Sequence, residues 1–201
     1  MSKVVFDDAT HTYTVDGVEL PSVTHICRFL HHDTAINAKP WLRDAAADRG
    51  SRIHAYTAMI DYGEPLVDEE IDIDCLGYVQ AYRRFLKDYK PEWCGIETIM
   101  GSTELGIAGT CDRYGNVDGV RTIVDIKTGS SVNSAAVLTQ LEGYWKLLHK
   151  EKGFFADASE VLLLRKDWTY EFRALGDETP ILWDECFQLH KSLSQKGLTI
   201  R

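Results

Sequence analysis

No apolar run in this sequence approaches the roughly 18 residues that a bilayer-crossing helix requires. The opening Met1-Ser2-Lys3-Val4-Val5 lacks the apolar stretch of a secretory leader, so a cytoplasmic protein with no membrane partner is expected. Five cysteines, at positions 27, 75, 94, 111 and 186, include no C-x-x-C pair. Their odd count and wide spacing argue against a disulfide framework and a cysteine-based zinc site, and no iron–sulfur cluster is expected. A G-x-x-x-x-G-K-[ST] loop is also missing, so no helicase motif accompanies the chain. Repeats, low-complexity tracts and long linkers are absent, and 201 residues suffice for a sizeable core. One domain spanning 1–201 is expected.

Positive charge is scarce. Lysine and arginine number 22 against 31 acidic residues, for a formal net charge of −9. That is the wrong sign for a protein that binds phosphates through its overall charge. Two features soften the objection. Carboxylates that hold a divalent cation are neutralised in use. The basic residues also cluster: Arg43, Arg49 and Arg52; Arg83, Arg84, Lys87 and Lys90; Lys146, Lys150 and Lys152. Each cluster taken alone also fits an ordinary solvated helix face.

What is present is an orderly alternation of elements. Residues 3–6 and 11–20 read as strands, with Asp16-Gly17 as a hairpin turn. A short helix opens at Pro21-Ser22-Val23-Thr24 and runs to about Leu30, with Ser22 or Thr24 as its cap. Pro40 suits the first turn of a second helix, which reaches about Tyr62 and is closed by Gly63. A third helix is predicted over about 72–90, because Cys75, Val79, Tyr82, Leu86 and Tyr89 recur at helical spacing. Pro91 ends it. Strands follow at 96–100, 107–114 and 121–127, then a helix at about 134–150, strands at 159–165 and 168–174, and a last helix from Thr179-Pro180 to about Gln195. The fold class is therefore α/β: a small central mixed sheet flanked by helices, with an N-terminal hairpin and helical segment.

The chemistry concentrates in two strands, Gly109-Thr110-Cys111-Asp112-Arg113 and Ile123-Val124-Asp125-Ile126-Lys127-Thr128-Gly129. Asp125 and Lys127 are two apart, so a strand sets them on one face while Val124 and Ile126 turn into packing. Asp112 can reach Asp125 across the sheet. Two carboxylates and a lysine on one face suit a bound cation, and hard oxygen ligands suit Mg²⁺ or Mn²⁺. Such a cation lowers the pKa of a bound water and polarises a phosphoryl oxygen, and a neighbouring lysine stabilises developing charge. Taken alone, D-x-K is equally a surface ion pair. The flanking apolar pair and the sharp Thr128-Gly129 stop favour the functional reading.

The pattern G-x-x-D, then D-I-K-T-G, then Gln140-Leu141-Glu142-Gly143-Tyr144 on a helix resembles the PD-(D/E)XK nuclease superfamily. The upstream Gly50-Ser51-Arg52-Ile53-His54 and the opening His11-Thr12-Tyr13 to Pro21-Ser22-Val23-Thr24 are similar to its RecB-like branch, in the phage exonuclease type. The likeness covers roughly residues 10–175. It implies a restriction-endonuclease-like core and a magnesium- or manganese-dependent deoxyribonuclease acting as an exonuclease in DNA recombination, repair or processing. A phage-encoded enzyme would act in the host cytoplasm. Residue by residue, it implies Asp112 and Asp125 as metal ligands and catalytic groups, with the Ile126 carbonyl as a third ligand. His54 becomes a further ligand, Lys127 the catalytic lysine, and Gln140 and Tyr144 positioners of DNA. Apart from the resemblance, Arg52 is expected as a DNA contact, and Glu97, in the first core strand, is a candidate carboxylate behind the ligands. The implied partners are DNA and a recombination or single-strand-binding protein, while oligomeric state stays open.

Read without the family, these additions are less specific. A helical histidine such as His54 is more often simply packed. Tyr144 at i+4 from Gln140 is commonly core, and a strand carboxylate such as Glu97 often faces solvent. Two other functions fit the sequence: a non-catalytic nucleic-acid-binding or assembly protein that keeps the fold, and a metal-dependent phosphoesterase acting on RNA or nucleotides.

Overall fold

The computed structural model describes residues 3–31, 39–175 and 179–198. Strands β1 (Val4–Asp7), β2 (Thr12–Val15) and β3 (Val18–Leu20) form an antiparallel sheet. Asp16 (φ +50°) and Gly17 (φ +83°) make the β2–β3 turn. Two successive left-handed residues give that turn the twist a two-residue hairpin needs.

Helix α1 is short, Val23–Ile26, with Ser22 accepting from the His25 N–H at 3.0 Å. A 3-10 turn at Arg28–His31 completes the segment expected to be one helix. Helix α2 covers Pro40–Asp61, with Pro40 in its first turn. Helix α3 is Leu76–Tyr89 and stops at Lys90, which takes a left-handed conformation before Pro91. It starts four residues later than the periodicity predicts. Asp72 and Asp74 are held by Arg52, so the chain before Leu76 forms turns.

The central sheet has five strands in the order β4 (Glu92–Ser102), β5 (Ile107–Val117), β6 (Val120–Lys127), β7 (Ala158–Leu164) and β8 (Tyr170–Ala174). Strands β4, β5 and β6 form an antiparallel meander. Helix α4 (Ser134–Lys152) then crosses over and returns the chain to β7, parallel to β6. Asn133 caps α4 through Ala136, and Gly153 (φ +63°) closes it. The last helix, α5, is Trp183–Gln195. Its start is later than Thr179-Pro180 suggests, because the Leu182 N–H is taken by Thr139 Oγ1 of α4 at 3.0 Å.

Each face of the sheet carries its own core. Ile123 and Val161 pack with Val23, Leu141, Leu147 and Trp183 on the α1–α4–α5 side. Val124, Ile126, Leu162 and Leu164 pack with Ile53, Val79, Tyr82 and Phe85 on the α2–α3 side. Neighbouring residues of β6 thus serve opposite cores, which is the period of two expressed in packing. The architecture is mixed α/β in three layers, as the composition and pattern predict. Among the described residues, no helix is long and apolar enough to cross a membrane.

Candidate active site

Strands β5 and β6 pair from Val117–Val120 up to Arg113–Val124 and then separate. Asp112 and Asp125 are the first residues past that fork. Asp112 Oδ2 accepts the Ile126 N–H at 2.7 Å, so a side chain takes over where the ladder ends. The Ile126 carbonyl lies on the same strand edge as its N–H and also faces the fork.

Asp125 and Lys127 share a face of β6. Lys127 Nζ donates to Asp125 Oδ1 at 3.1 Å. Gln140, reaching from α4, donates its amide N–H to the same oxygen at 3.0 Å. Lys127 Nζ also stands 2.9 Å from Oδ2, but away from hydrogen-bonding angles, so Oδ2 is buried without a donor. The Asp125 side chain is 1% exposed and that of Lys127 31%. The lysine is therefore the member of the pair that solvent or a substrate can reach. Burial opposes the Lys127 charge, but Asp125 and Asp112 outweigh it and hold the ammonium above the usual lysine range.

On the other side of Asp112 stand His54 of α2 and Glu97 of β4. His54 Nδ1 is 3.1 Å from Glu97 Oε1 and 3.7 Å from Asp112 Oδ1. Ligand atoms of His54, Glu97 and Asp112 all lie within 4.8 Å of one another, close enough to hold one cation. Burial lowers the affinity of His54 for its proton, but the Asp112 charge and the Glu97 contact prevail and lift its pKa to about 9. The imidazolium supplies the positive charge that these carboxylates call for. Glu97 itself adopts φ +42°, an uncommon conformation for a residue with a side chain.

Arg113 holds Glu97 from behind, and no role was assigned to it from the sequence. It is fully buried and donates to Glu97 Oε1 at 2.9 Å, Asp61 Oδ2 at 2.6 Å, Thr57 Oγ1 at 3.1 Å and the Asp112 carbonyl at 2.7 Å. Asp61 also accepts from Tyr82 and Trp93. A buried guanidinium bonded in this way fixes its partners in place. The adjacent Asp-Arg pair in a strand otherwise filled with apolar and small residues is the one sequence signal that could have found it.

Of the residues expected at the site, Asp112, Asp125, Ile126, Lys127, His54 and Glu97 converge on the fork. Gln140 and Tyr144 are there too, but each is only 4% exposed. Gln140 divides its amide between Asp125 and the Tyr144 hydroxyl, 3.3 Å away. Both address the acidic centre rather than solvent. Gly109 makes room for the tyrosine: a Cβ there would lie 2.9 Å from its ring. Arg52 stands apart, its guanidinium committed to Asp48, Asp72 and Asp74 at 2.7–3.0 Å. In comparisons with known proteins, no family model matches the chain and no curated protein matches it.

Proposed function

We propose that the protein is a metal-dependent deoxyribonuclease of the PD-(D/E)XK type, with a restriction-endonuclease-like core. The observation that carries this reading is the fork itself. It sets Asp112, Asp125 and Lys127 together beside a cation-sized cluster of His54, Glu97 and Asp112 ligand atoms. The antiparallel β4–β5–β6 meander followed by α4 and parallel β7 supports the core assignment.

The donor set fits a hard divalent cation. Carboxylate oxygens, an imidazole and a main-chain carbonyl suit Mg²⁺ or, with the histidine, Mn²⁺. Asp125 Oδ2 fits in the same way: it accepts no hydrogen bond and has only the Lys127 ammonium beside it at 2.9 Å, so its lone pairs stay open to a further cation. Asp112, Asp125, His54, Glu97 and the Ile126 carbonyl are the groups that would hold it. When bound, such an ion polarises a phosphoryl oxygen and makes a water nucleophilic at neutral pH.

The protein's own groups supply the rest. The exposed side of Lys127 offers N–H donors to a water or to a phosphoryl oxygen as negative charge grows there. Gln140 fixes Asp125, and Arg113 fixes Glu97, so the carboxylates need no rearrangement when charge develops. The Tyr144 hydroxyl stays protonated, because burial and then the charges of Asp112 and Asp125 raise its pKa well above normal. It accepts from Gln140 and adds no further anion.

A substrate panel tests the assignment. Linear and circular DNA, single- and double-stranded, and RNA of the same sequence are incubated with Mg²⁺, Mn²⁺ or EDTA. Metal-dependent loss of linear DNA with circles spared is the expected result for an exonuclease. Cutting of circles makes it an endonuclease with the same centre. Cleavage of RNA alone replaces the DNA substrate, and inertness toward every substrate overturns the enzyme reading.

A further inference from the structure

A pocket of about 560 Å³ opens at the carboxyl ends of the parallel pair β6 and β7. Thr128 and Ser130, directly after Lys127, form part of its lining. Arg165 and Lys166 enter from the end of β7, and Arg49 from α2, five residues before His54.

Unsatisfied donors mark this pocket. Among the described residues, four buried side-chain atoms have no hydrogen-bond partner: Arg49 Nε, Arg165 Nε, Asn116 Oδ1 and Asp125 Oδ2. Two of the four belong to pocket-lining arginines, and a third is the orphaned oxygen of the acidic centre next door. A guanidinium N–H shielded from water without an acceptor is costly. An anion in the pocket would meet the guanidinium groups of both lining arginines.

Charge points the same way. Arg165 shares Glu171 with Arg173. The Arg49 guanidinium lies 5.6 Å above the Tyr78 ring. Neither Arg49 nor Lys166 has a carboxylate partner among the described residues. Asp167 also lines the pocket, but its Oδ1 is occupied by the Thr169 N–H and hydroxyl. The lining thus holds three cations, Arg49, Arg165 and Lys166, and one carboxylate, Asp167, in a chain of net charge −9. Some basic side chains elsewhere pair with acids, as Arg52 does with Asp72 and Asp74 and Arg83 with Asp68, whereas others, such as Arg43, Lys87 and Lys90, have no such partner among the described residues.

We infer that this pocket binds a phosphate group of the substrate chain, beside the one being cut. The inference rests on the nuclease reading above. Arginine suits a phosphate because its planar fork can donate two parallel hydrogen bonds. The Thr128 and Ser130 hydroxyls add neutral donors of the kind that hold nucleic-acid backbones. An internal diester and a terminal monoester present the same chemistry here. Because Thr128 follows Lys127 directly, a phosphate held there fixes the register of the chain over the acidic centre.

Arg49→Gln and Arg165→Gln test this, with Arg121→Gln, at the opposite end of β6 and paired to Asp157, as the equal-charge control. Binding of a labelled oligonucleotide, with and without a terminal phosphate, is followed by anisotropy in Ca²⁺ across a salt series, with melting curves to establish folding. Each pocket variant is expected to raise Kd and KM about tenfold, with the effect on these rather than on kcat. Each should flatten the salt dependence by about one phosphate contact, while Arg121→Gln matches wild type. A loss confined to the end-phosphorylated oligonucleotide identifies a terminal phosphate, and a loss on both identifies the internal backbone. Wild-type affinity in both pocket variants overturns the inference while leaving the nuclease reading intact. Should wild type bind no nucleic acid, inorganic phosphate titrated against the Gly129 amide resonance separates the two claims. A shift that Arg49→Gln abolishes upholds the pocket and sinks the nuclease; no shift sinks both.

Discussion

Ile126 gives its main-chain N–H to Asp112 Oδ2 at 2.7 Å, at the point where β5 and β6 cease to pair. One hydrogen bond thereby ends a sheet ladder and orients a carboxylate whose other oxygen lies 3.7 Å from His54. Asp112→Asn keeps an acceptor for Ile126 but removes the charge. It is expected to weaken Mn²⁺ binding at least about tenfold in calorimetry while the fold persists. Unchanged affinity would remove Asp112 from the ligand set.

The His54 proton gives the metal-free protein a pH signature. Burial opposes that proton, but Asp112 and Glu97 raise the folded-state pKa to about 9. The folded state therefore holds the proton more tightly than the unfolded chain. Its stabilisation is complete below about pH 6.5 and is lost as pH climbs through about 9. Urea unfolding of wild type and His54→Gln should show their difference shrinking over that window, by up to about 3 kcal/mol. Parallel pH profiles for the two proteins would show that His54 is not held protonated in the folded state. A cation must also displace this proton, so Mn²⁺ affinity should rise with pH over the same range.

Gln140 faces Asp125, not solvent, and this separates two roles for it. If it holds Asp125, Gln140→Leu slows cleavage about 10- to 100-fold with DNA affinity nearly unchanged. A variant that binds DNA poorly but turns over normally would make Gln140 a DNA contact instead.

Arg113 joins Glu97 to the buried Asp61. Replacing it with methionine strands that carboxylate, and the expected loss is about 3–5 kcal/mol by urea denaturation. A loss below about 1 kcal/mol would show that Asp61 is relieved another way, for instance by taking up a proton.

Local chemistry was legible in the sequence and tertiary chemistry was not. Asp16-Gly17 states its own turn, Pro40 marks the first turn of α2, and the two-residue spacing of Asp125 and Lys127 shows a shared face. The start of α3 was misread because Arg52, 20 or more residues upstream, holds Asp72 and Asp74. The start of α5 was misread because Thr139 supplies its cap from another helix. At the site, the acids and the lysine follow from strand periodicity. The burial of Gln140, the commitment of Arg52 to three aspartates, and the Arg113 brace arise only when distant elements pack. No period in the sequence encodes the φ of Glu97 either, which the surrounding contacts maintain.

Single-turnover cleavage by Lys127→Gln tests the proposed centre most directly. Glutamine keeps a second donor for the buried Asp125, which alanine would leave with Gln140 only, so folding and chemistry can be read apart. Wild type should degrade DNA in Mg²⁺ or Mn²⁺ and not in EDTA. Lys127→Gln, folded and binding the same DNA, should cut at least about a hundredfold more slowly. Cleavage by the variant at the wild-type rate would contradict the catalytic assignment of Lys127 and, with it, the proposed centre.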